Sequence, residues 1–451
     1  MLSVLEASWL GVAVWNLKNN SVGMGNYFDP WVSLALIAVV FAALGLYSPA
    51  GVGPVEELRR LVLGSSLVWL ALTSTVFLAG ASLTYSRGAV LVSATLMLLF
   101  APVNRALIRQ LLGRKAWWGV PVLVLGSGEP ARAILEGLQA QAGMGLKPVL
   151  CIDNDPGESA ECAGIPVASP LALAPRLASE LDIRHALVAI PDIGRRELDA
   201  LLENSGGIFA NIIVIPNLFG VAGLWVTARD LGGVLGLELR QNLLIPWNRR
   251  LKRLLDVCAA AILGVAVLPA VALAAAVIRI LSPGPVFYAQ EREGQHGRPI
   301  RIYKLRTMYT NAGQLLQQHL DRDPDARREW RRFFKLKNDP RVLPVIGAFL
   351  RRSSLDEIPQ LLNVLHGEMS LVGPRPFPHY HLDEFGARFR DLRSQVVPGL
   401  TGLWQISARS NGDLKVQETL DSYYIRNWSL WLDLHILLRT FAAVVLSRGA
   451  Y

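Results

Sequence analysis

The sequence predicts a membrane protein of mixed class. An N-terminal bundle of transmembrane helices comes first, then a Rossmann-like α/β domain with a parallel sheet. A C-terminal domain follows, with a re-entrant membrane helix and amphipathic interfacial helices. Three observations predict this. Of 451 residues, 52% are hydrophobic and the mean hydropathy is +0.33, high for a soluble chain. Residues 121–217 alternate short apolar runs with helical patterns, as a parallel sheet with crossover helices requires. Residues 254–281 form a long apolar stretch with basic residues at both ends. The expected boundaries are 1–115, 116–218, a β-rich linker at 219–248, and 249–451.

The first part carries four apolar runs, near Leu5–Trp15, Trp31–Tyr47, Leu61–Ser82 and Ala89–Leu112. A helix needs about 20 apolar residues to cross a bilayer, so the first run is short and the last two are long enough. Arg59 and Arg60 lie between the second and third runs, and Arg105, Arg109, Arg114 and Lys115 fall at or beyond the end of the fourth. The positive-inside rule places both groups on the cytoplasmic side. The N-terminus lacks a basic flank and cleavage site, so no removable signal peptide is expected.

In the α/β region, Val122–Leu125 reads as a buried strand, Gly126-Ser127-Gly128 as a tight turn, and Ala131–Leu138 as the helix after it. Further strands are expected at Val149–Ile152, Ala186–Ile190 and Ile212–Ile215, with a helix at Arg195–Leu202. Gly126-x-Gly128-x-x-Ala131 is a relaxed form of the dinucleotide fingerprint, which places a phosphate at a helix start. The same glycines suit a strand-to-helix turn with no ligand, and Asp153 and Asp155 come later than the usual acidic partner. Gly220–Leu244 is glycine-rich with β alternation and reads as a hairpin or linker.

Arg249, Arg250, Lys252 and Arg253 precede the apolar stretch 254–281, Asp256 lies just inside it, Pro269 interrupts it and Arg279 ends it. One reading is a kinked crossing. The other is a helix that enters, bends at Pro269 and returns, which keeps both basic flanks on one side.

The chemistry concentrates at Arg351–Pro376. Asp356 and Glu357 are adjacent carboxylates behind Arg351 and Arg352, and Gly373-Pro374-Arg375-Pro376 offers another arginine on a stiff backbone. Neighbouring residues do not share a helix face, so the two acids are expected to do different work. Ser354 and Glu357 also have the spacing of a capping box, and Asp356 would suit the positive end of a helix. Upstream, Lys304 and Arg306 stand two residues apart on a predicted strand and face one side of it. They would serve an anion or a solvated edge strand. Residues 311–337 read as a solvated, charge-rich helix, and Trp428–Arg439 as an interfacial helix with indoles at headgroup level.

Ser354-Leu-Asp-Glu-Ile-Pro-Gln-Leu361 and Leu371-Val-Gly-Pro-Arg-Pro376 closely resemble the bacterial sugar transferases, monotopic phosphoglycosyl transferases acting on polyprenyl phosphate. Blocks around Ser282–Tyr288, Ile302–Met308, Lys337–Val342 and Pro398–Gln405 match in the same order, so the resemblance covers residues 249–451. The N-terminal layout resembles the family's long-form members. The resemblance implies a re-entrant helix and transfer of a sugar 1-phosphate from a UDP-sugar, galactose or glucose, to undecaprenyl phosphate. The products are lipid diphosphate-sugar and UMP, at the start of surface polysaccharide synthesis. It implies Asp356 as a covalent phosphoryl acceptor, Asp356 and Glu357 on Mg²⁺, and Arg375, Arg351, Arg306, Lys304 and Arg292 on phosphates. Asp421 and Asp433 fall where the family has further acids needed for activity.

The net charge of +9 suits anionic lipid. No aromatic-basic interleaving indicates nucleic acid. The three cysteines show neither a disulfide framework nor metal spacing. Expected partners are the UDP-sugar, the polyprenyl phosphate, inner-membrane lipid and a second copy in a homodimer. The competing readings are a membrane-anchored nucleotide-sugar dehydratase or oxidoreductase, for which a Tyr-x-x-x-Lys pair is missing, and a non-catalytic scaffold of polysaccharide export.

Overall fold

The computed structural model describes residues 30–47, 52–78, 87–113, 115, 117–155, 160–190, 208–215, 226–230, 235–239, 242–333, 336, 339–378, 382, 384–407 and 414–445. The chain divides into two compact units, Met1–Gly220 and Val221–Tyr451.

The first unit opens with helices α1 (Pro30–Ala43), α2 (Pro54–Leu78) and α3 (Arg87–Leu112). The expected run Leu5–Trp15 lies outside the described residues. Ile37, Phe41, Leu61, Val68, Trp69 and Met97 fill the space between the helices. α2 starts seven residues before its apolar run, so Arg59 and Arg60 are helical rather than in a link, as Arg105 and Arg109 are in α3. Glu57 near the start of α2 pairs with Arg105, and with Arg109 at 2.9 Å. The two basic groups that the charge rule puts on one side therefore meet at one end of the bundle. Residues 91–112 of α3 are long and apolar enough to cross a membrane.

The same unit holds a six-stranded sheet of β1 (Val120–Leu125), β2 (Leu146–Ile152), β3 (Glu161–Cys162), β4 (Ile165–Ala168), β5 (His185–Val188) and β6 (Asn211–Val214). Its order is β3-β4-β2-β1-β5-β6, parallel except for β3. Val122, Leu123, Val124 and Leu125 are all buried, because central parallel strands are covered on both faces. Helix α4 (Glu129–Ala140) follows β1 and packs Ala131, Leu135 and Leu138 against one face. Helix α5 (Ala174–Glu180) places Ala174 and Ala178 in the other apolar cluster, with Leu123 and Leu125. The four expected strands lie where the apolar runs fall. The β3–β4 hairpin does not announce itself, since two-residue strands carry no readable period. The expected helix 195–202 lies outside the described residues.

The second unit begins with an antiparallel pair, β7 (Val226–Asp230) and β8 (Leu235–Leu239), which answers the expected hairpin. Helix α6 (Pro246–Leu281) is 36 residues long, helical through Pro269, and also apolar enough to cross. Strands β9 (Phe287–Glu293) and β10 (Pro299–Leu305) pair antiparallel. Helices α7 (Ala312–Arg322) and α8 (Pro324–Phe333) divide the single helix expected there. Then come α9 (Ile346–Arg352), a 3₁₀ turn (Leu355–Gln360), α10 (Leu361–His366) and β11 (Ser370–Val372). The chain ends with α11 (Ala387–Ser394), β12 (Gly399–Thr401), α12 (Leu403–Ser407), α13 (Leu414–Asn427) and α14 (Leu430–Val445). β11 and β12 pair in parallel, so close that a Cβ on Gly399 would stand 2.0 Å from the Gly373 nitrogen. The Pro398-Gly399 block thus serves backbone packing.

Candidate active site

Asp356 and Glu357 sit in the 3₁₀ turn that joins α9 to α10. Three residues per turn send adjacent side chains about 120° apart, so the two carboxylates diverge. The capping-box reading fails here. Ser354 has φ +58°, a left-handed backbone, and makes no side-chain cap. The Glu357 carboxylate turns instead to two cations. Its Oε1 accepts from Lys304 Nζ on β10 at 2.7 Å and from Arg375 Nη2 in the proline corner at 3.0 Å.

The two acids consequently have opposite electrostatics. Burial opposes charge on Glu357, but Arg375 and Lys304 outweigh it and hold its pKa down at about 2. Burial pushes Asp356 up to about 6; the Glu357 charge adds to this, while Lys304 and Arg351 oppose it. Among the described residues, no other side chain hydrogen-bonds the Asp356 carboxylate. Asp356 is thus an anion held near cations with a hydrogen bond from its own amide but no side-chain partner among the described residues, which is the state of a nucleophile or metal ligand.

The other expected phosphate binders do not all converge. Arg351 on α9 donates from Nε to Thr307 Oγ1 at 3.0 Å and is close enough to influence both Asp356 and Asp339. Asp339 in turn accepts two bonds from the Arg341 guanidinium, at 2.7 and 2.6 Å, and one from its amide at 3.0 Å. Arg306 departs from the expected pairing with Lys304. It stands just beyond β10 and donates to the carbonyls of Ser282 and Pro283, closing the end of α6. Strand alternation fails one residue past the last ladder pair. Arg292 lies opposite Ile300 on β9 and donates to Gln290 Oε1 at 2.8 Å.

Asp256 and Asp433 belong to a second polar cluster. Asp256 accepts from Ser370 Oγ at 2.7 Å and from the Leu371 amide at 3.2 Å. Asp433 accepts from Lys252 Nζ at 2.6 Å and Trp428 Nε1 at 3.0 Å, and the Tyr424 hydroxyl lies 2.8 Å from its other oxygen. Lys252 is thus an internal ion-pair partner. Trp428 is 2% exposed, which corrects the expectation of an indole at headgroup level for that residue, whereas Trp431 is half-buried; the exposed large apolar residues of α14 are Leu434, Leu438 and Phe441. Asp421 pairs with Arg393 at 3.5 Å. Sequence reading missed Arg393, Tyr424 and Thr307, whose importance comes from tertiary neighbours and has no local signal.

In the first unit, the glycine loop after β1 is filled from within. Asp153 Oδ2 accepts from the Ser127 amide at 2.6 Å and the Ser127 hydroxyl at 2.7 Å. Gly126 has φ +113°, and a Cβ there would lie 2.8 Å from the Ala189 carbonyl oxygen, so that glycine is explained by packing. Helix α4 also opens with Glu129 and Pro130, an anion and a residue without an amide hydrogen. Gly128 meets only Pro130. These residues do not suit a pyrophosphate.

Comparison with known proteins adds the following. The family described as bacterial sugar transferase matches residues 247–447, and the one described as CoA-binding domain matches 42–216. An undecaprenyl-phosphate galactose phosphotransferase from Salmonella typhimurium is 35% identical over 390 residues, 86% of this chain and 81% of the relative. A UDP-galactose-lipid carrier transferase from Erwinia amylovora is 34% identical over 88% of this chain and 82% of the relative. The exopolysaccharide production protein ExoY of Rhizobium meliloti is 45% identical over 44% of this chain and 88% of its own length. Among solved structures, a UDP-D-quinovosamine 4-dehydrogenase from Vibrio fischeri aligns with 27% of this chain and 93% of its own at 21% identity and a TM-score of 0.21, too low to carry an argument. The loop filled by Asp153 does not fit the pyrophosphate of coenzyme A, so no role is derived for that cofactor.

Proposed function

The chain belongs to the bacterial sugar transferase family, and from that premise we propose that it transfers a sugar 1-phosphate from a UDP-sugar to undecaprenyl phosphate, releasing UMP. The observation that carries the proposal is the pairing of one clamped carboxylate, Glu357, with one carboxylate that has no side-chain partner, Asp356. Asp356 attacks the sugar-linked phosphorus, the bond to the UMP oxygen breaks, and an acyl phosphate forms. An oxygen of the lipid phosphate then attacks the same phosphorus and restores the carboxylate. Splitting the transfer lets a soluble donor and a lipid acceptor use one site in turn.

Glu357 anchors Lys304 and Arg375 where the donor's phosphates carry charge, and Arg351 approaches from α9. The described residues contain no cluster of three metal-ligating side chains. One or two carboxylates plus substrate phosphates and water suit Mg²⁺, so Asp356 fits as its protein ligand. Such an ion, when bound, would neutralise charge on the diphosphate. Glu357 already has an oxygen committed to two cations.

Helix α6 supports a membrane placement. Its 36 residues would span about 54 Å, against an apolar core of about 30 Å. Both ends are fastened to the same unit. Arg253 donates to the Val364 and Leu365 carbonyls and Asp256 is bound by β11, while Ala274 and Ile278 pack on Leu305, Leu343 and Leu350. Between those anchors, Ile262, Val265, Leu268 and Leu273 are exposed. A helix so fastened supports the re-entrant reading, with the catalytic unit on the cytoplasmic face of the inner membrane, where the UDP-sugar is. Galactose is the proposed sugar, because the galactose-named relatives align with 86% and 88% of this chain and a glucose-named relative with 58%.

The test is UMP release by the purified full chain from a panel of UDP-sugars, with and without undecaprenyl phosphate. Multiple turnover with UDP-galactose that requires the lipid supports the proposal. No lipid-dependent release with any UDP-sugar overturns it.

A further inference from the structure

Arg393 and Asp421 are charged residues placed where charges are expensive. They are 6% and 2% exposed and lie 3.5 Å apart, on α11 and α13. Replacing such a buried pair by apolar residues of similar volume is often neutral or stabilising, so stability alone does not account for it. Its surroundings suggest another use. The Arg393 guanidinium donates to the backbone carbonyl of Arg375 and stacks over the Phe377 ring at 4.4 Å. Glu293 on β9 adds a second negative charge beside it, and the Glu293 amide donates to the Phe377 carbonyl at 2.9 Å. The corner Gly373–Phe377 is thereby gripped from inside by one planar cation. On the other side of the same residue, the Arg375 side chain reaches Glu357 Oε1 at 3.0 Å.

We infer that Arg393, itself held by Asp421, is a positioning residue that sets the direction of the Arg375 guanidinium at the active site. The inference rests on the proposed transfer reaction. A guanidinium can donate to the carbonyl, stack on the ring and keep its charge beside Asp421, with which it makes an ion pair but no hydrogen bond, because it is planar and carries several N–H donors; an ammonium is a point charge. It also gives Asp421 a physical role in turnover without contact with substrate.

The test uses the full chain in detergent or nanodiscs, following UMP release from UDP-galactose with undecaprenyl phosphate. The double variant R393M/D421L removes both members of the buried pair, so neither is left alone, and Glu293, which loses a neighbouring cation, is only half-buried. That variant should fold, with a thermal midpoint near wild type, and lose about tenfold in kcat with KM for the donor changed less than about twofold, as for an interaction made in the transition state. In an Arg375→Met background the same two changes should cost less than about twofold more, because their effect runs through Arg375. A folded double variant with wild-type kcat, or a loss that adds fully to that of Arg375→Met, overturns the inference. If the double variant does not accumulate, Arg393→Lys carries the test. It keeps the charge beside Asp421 and gives up the fork, so a severalfold lower kcat supports the inference and unchanged kcat overturns it. Wild-type protein that releases no UMP would sink the transfer reading itself, a separate outcome.

Discussion

Asp356 and Asp433 both stand among cations in the second unit, and both were candidates for chemistry on sequence grounds. Their surroundings differ in one respect. Asp433 is bound by Lys252 and Trp428 with Tyr424 beside it, so its charge is used up inside the protein. Asp356 has Lys304 and Arg351 near enough to favour its charge but neither bonded to its carboxylate. Burying a carboxylate is costly unless it is paired, and folding alone would not select one that has only its own amide as partner. The satisfied cluster holds α6, β11 and α14 together; the unsatisfied one is where a substrate or metal can complete the set.

The sharpest way to break that comparison is to remove each carboxylate in turn. Asp356→Asn should lower kcat by about 10⁴-fold or more with folding intact, since it removes the attacking group. Lipid-linked sugar made by that variant at a comparable rate would show that Asp356 is not the nucleophile. A smaller effect comes from pH. Only ionised Asp356 attacks, and its pKa is raised to about 6, so kcat/KM should be nearly flat above neutrality and fall about tenfold per unit below 6. Glu357, at about 2, stays ionised throughout and adds no second step. A donor pH profile at fixed Mg²⁺ that stays flat to pH 5 would contradict the assignment. The smallest effect on chemistry belongs to Asp433→Asn. It leaves Lys252 with Asp256 at 3.8 Å as a carboxylate partner, so the loss of stability should be smaller than the about 3 kcal/mol typical of an orphaned buried charge. Its kcat per folded molecule should stay within about threefold of wild type. A well-folded Asp433→Asn with no activity would move Asp433 into the site.

The same contrast marks what could be read from the chain. Apolar runs such as Val122–Leu125 and residues 254–281 state their own burial or membrane preference, so the sheet and α6 were legible. Asp356, Glu357 and Arg375 were legible as a set because their motif residues lie within 20 positions of one another. Directions were not. Arg306 turned to the end of α6, and Ser354 took a left-handed backbone that no spacing rule reports. The Arg393–Asp421 pair spans 28 positions and three elements with the corner it holds, and the Asp153 plug of the Gly126 loop spans 26. Such contacts are products of packing, invisible until helices and strands have been placed.

The central claim is a transient bond between Asp356 and the sugar phosphate. The most direct measurement supplies UDP-galactose carrying ³²P in its sugar-linked phosphate to the purified chain with undecaprenyl phosphate omitted, quenches within one turnover, and maps the label. The account predicts stoichiometric UMP release, label on the peptide containing Asp356, hydroxylamine sensitivity typical of an acyl phosphate, and transfer of the label to lipid when undecaprenyl phosphate is added. Rapid lipid-dependent turnover with no label on the chain at any time would contradict it and establish direct transfer between the two substrates.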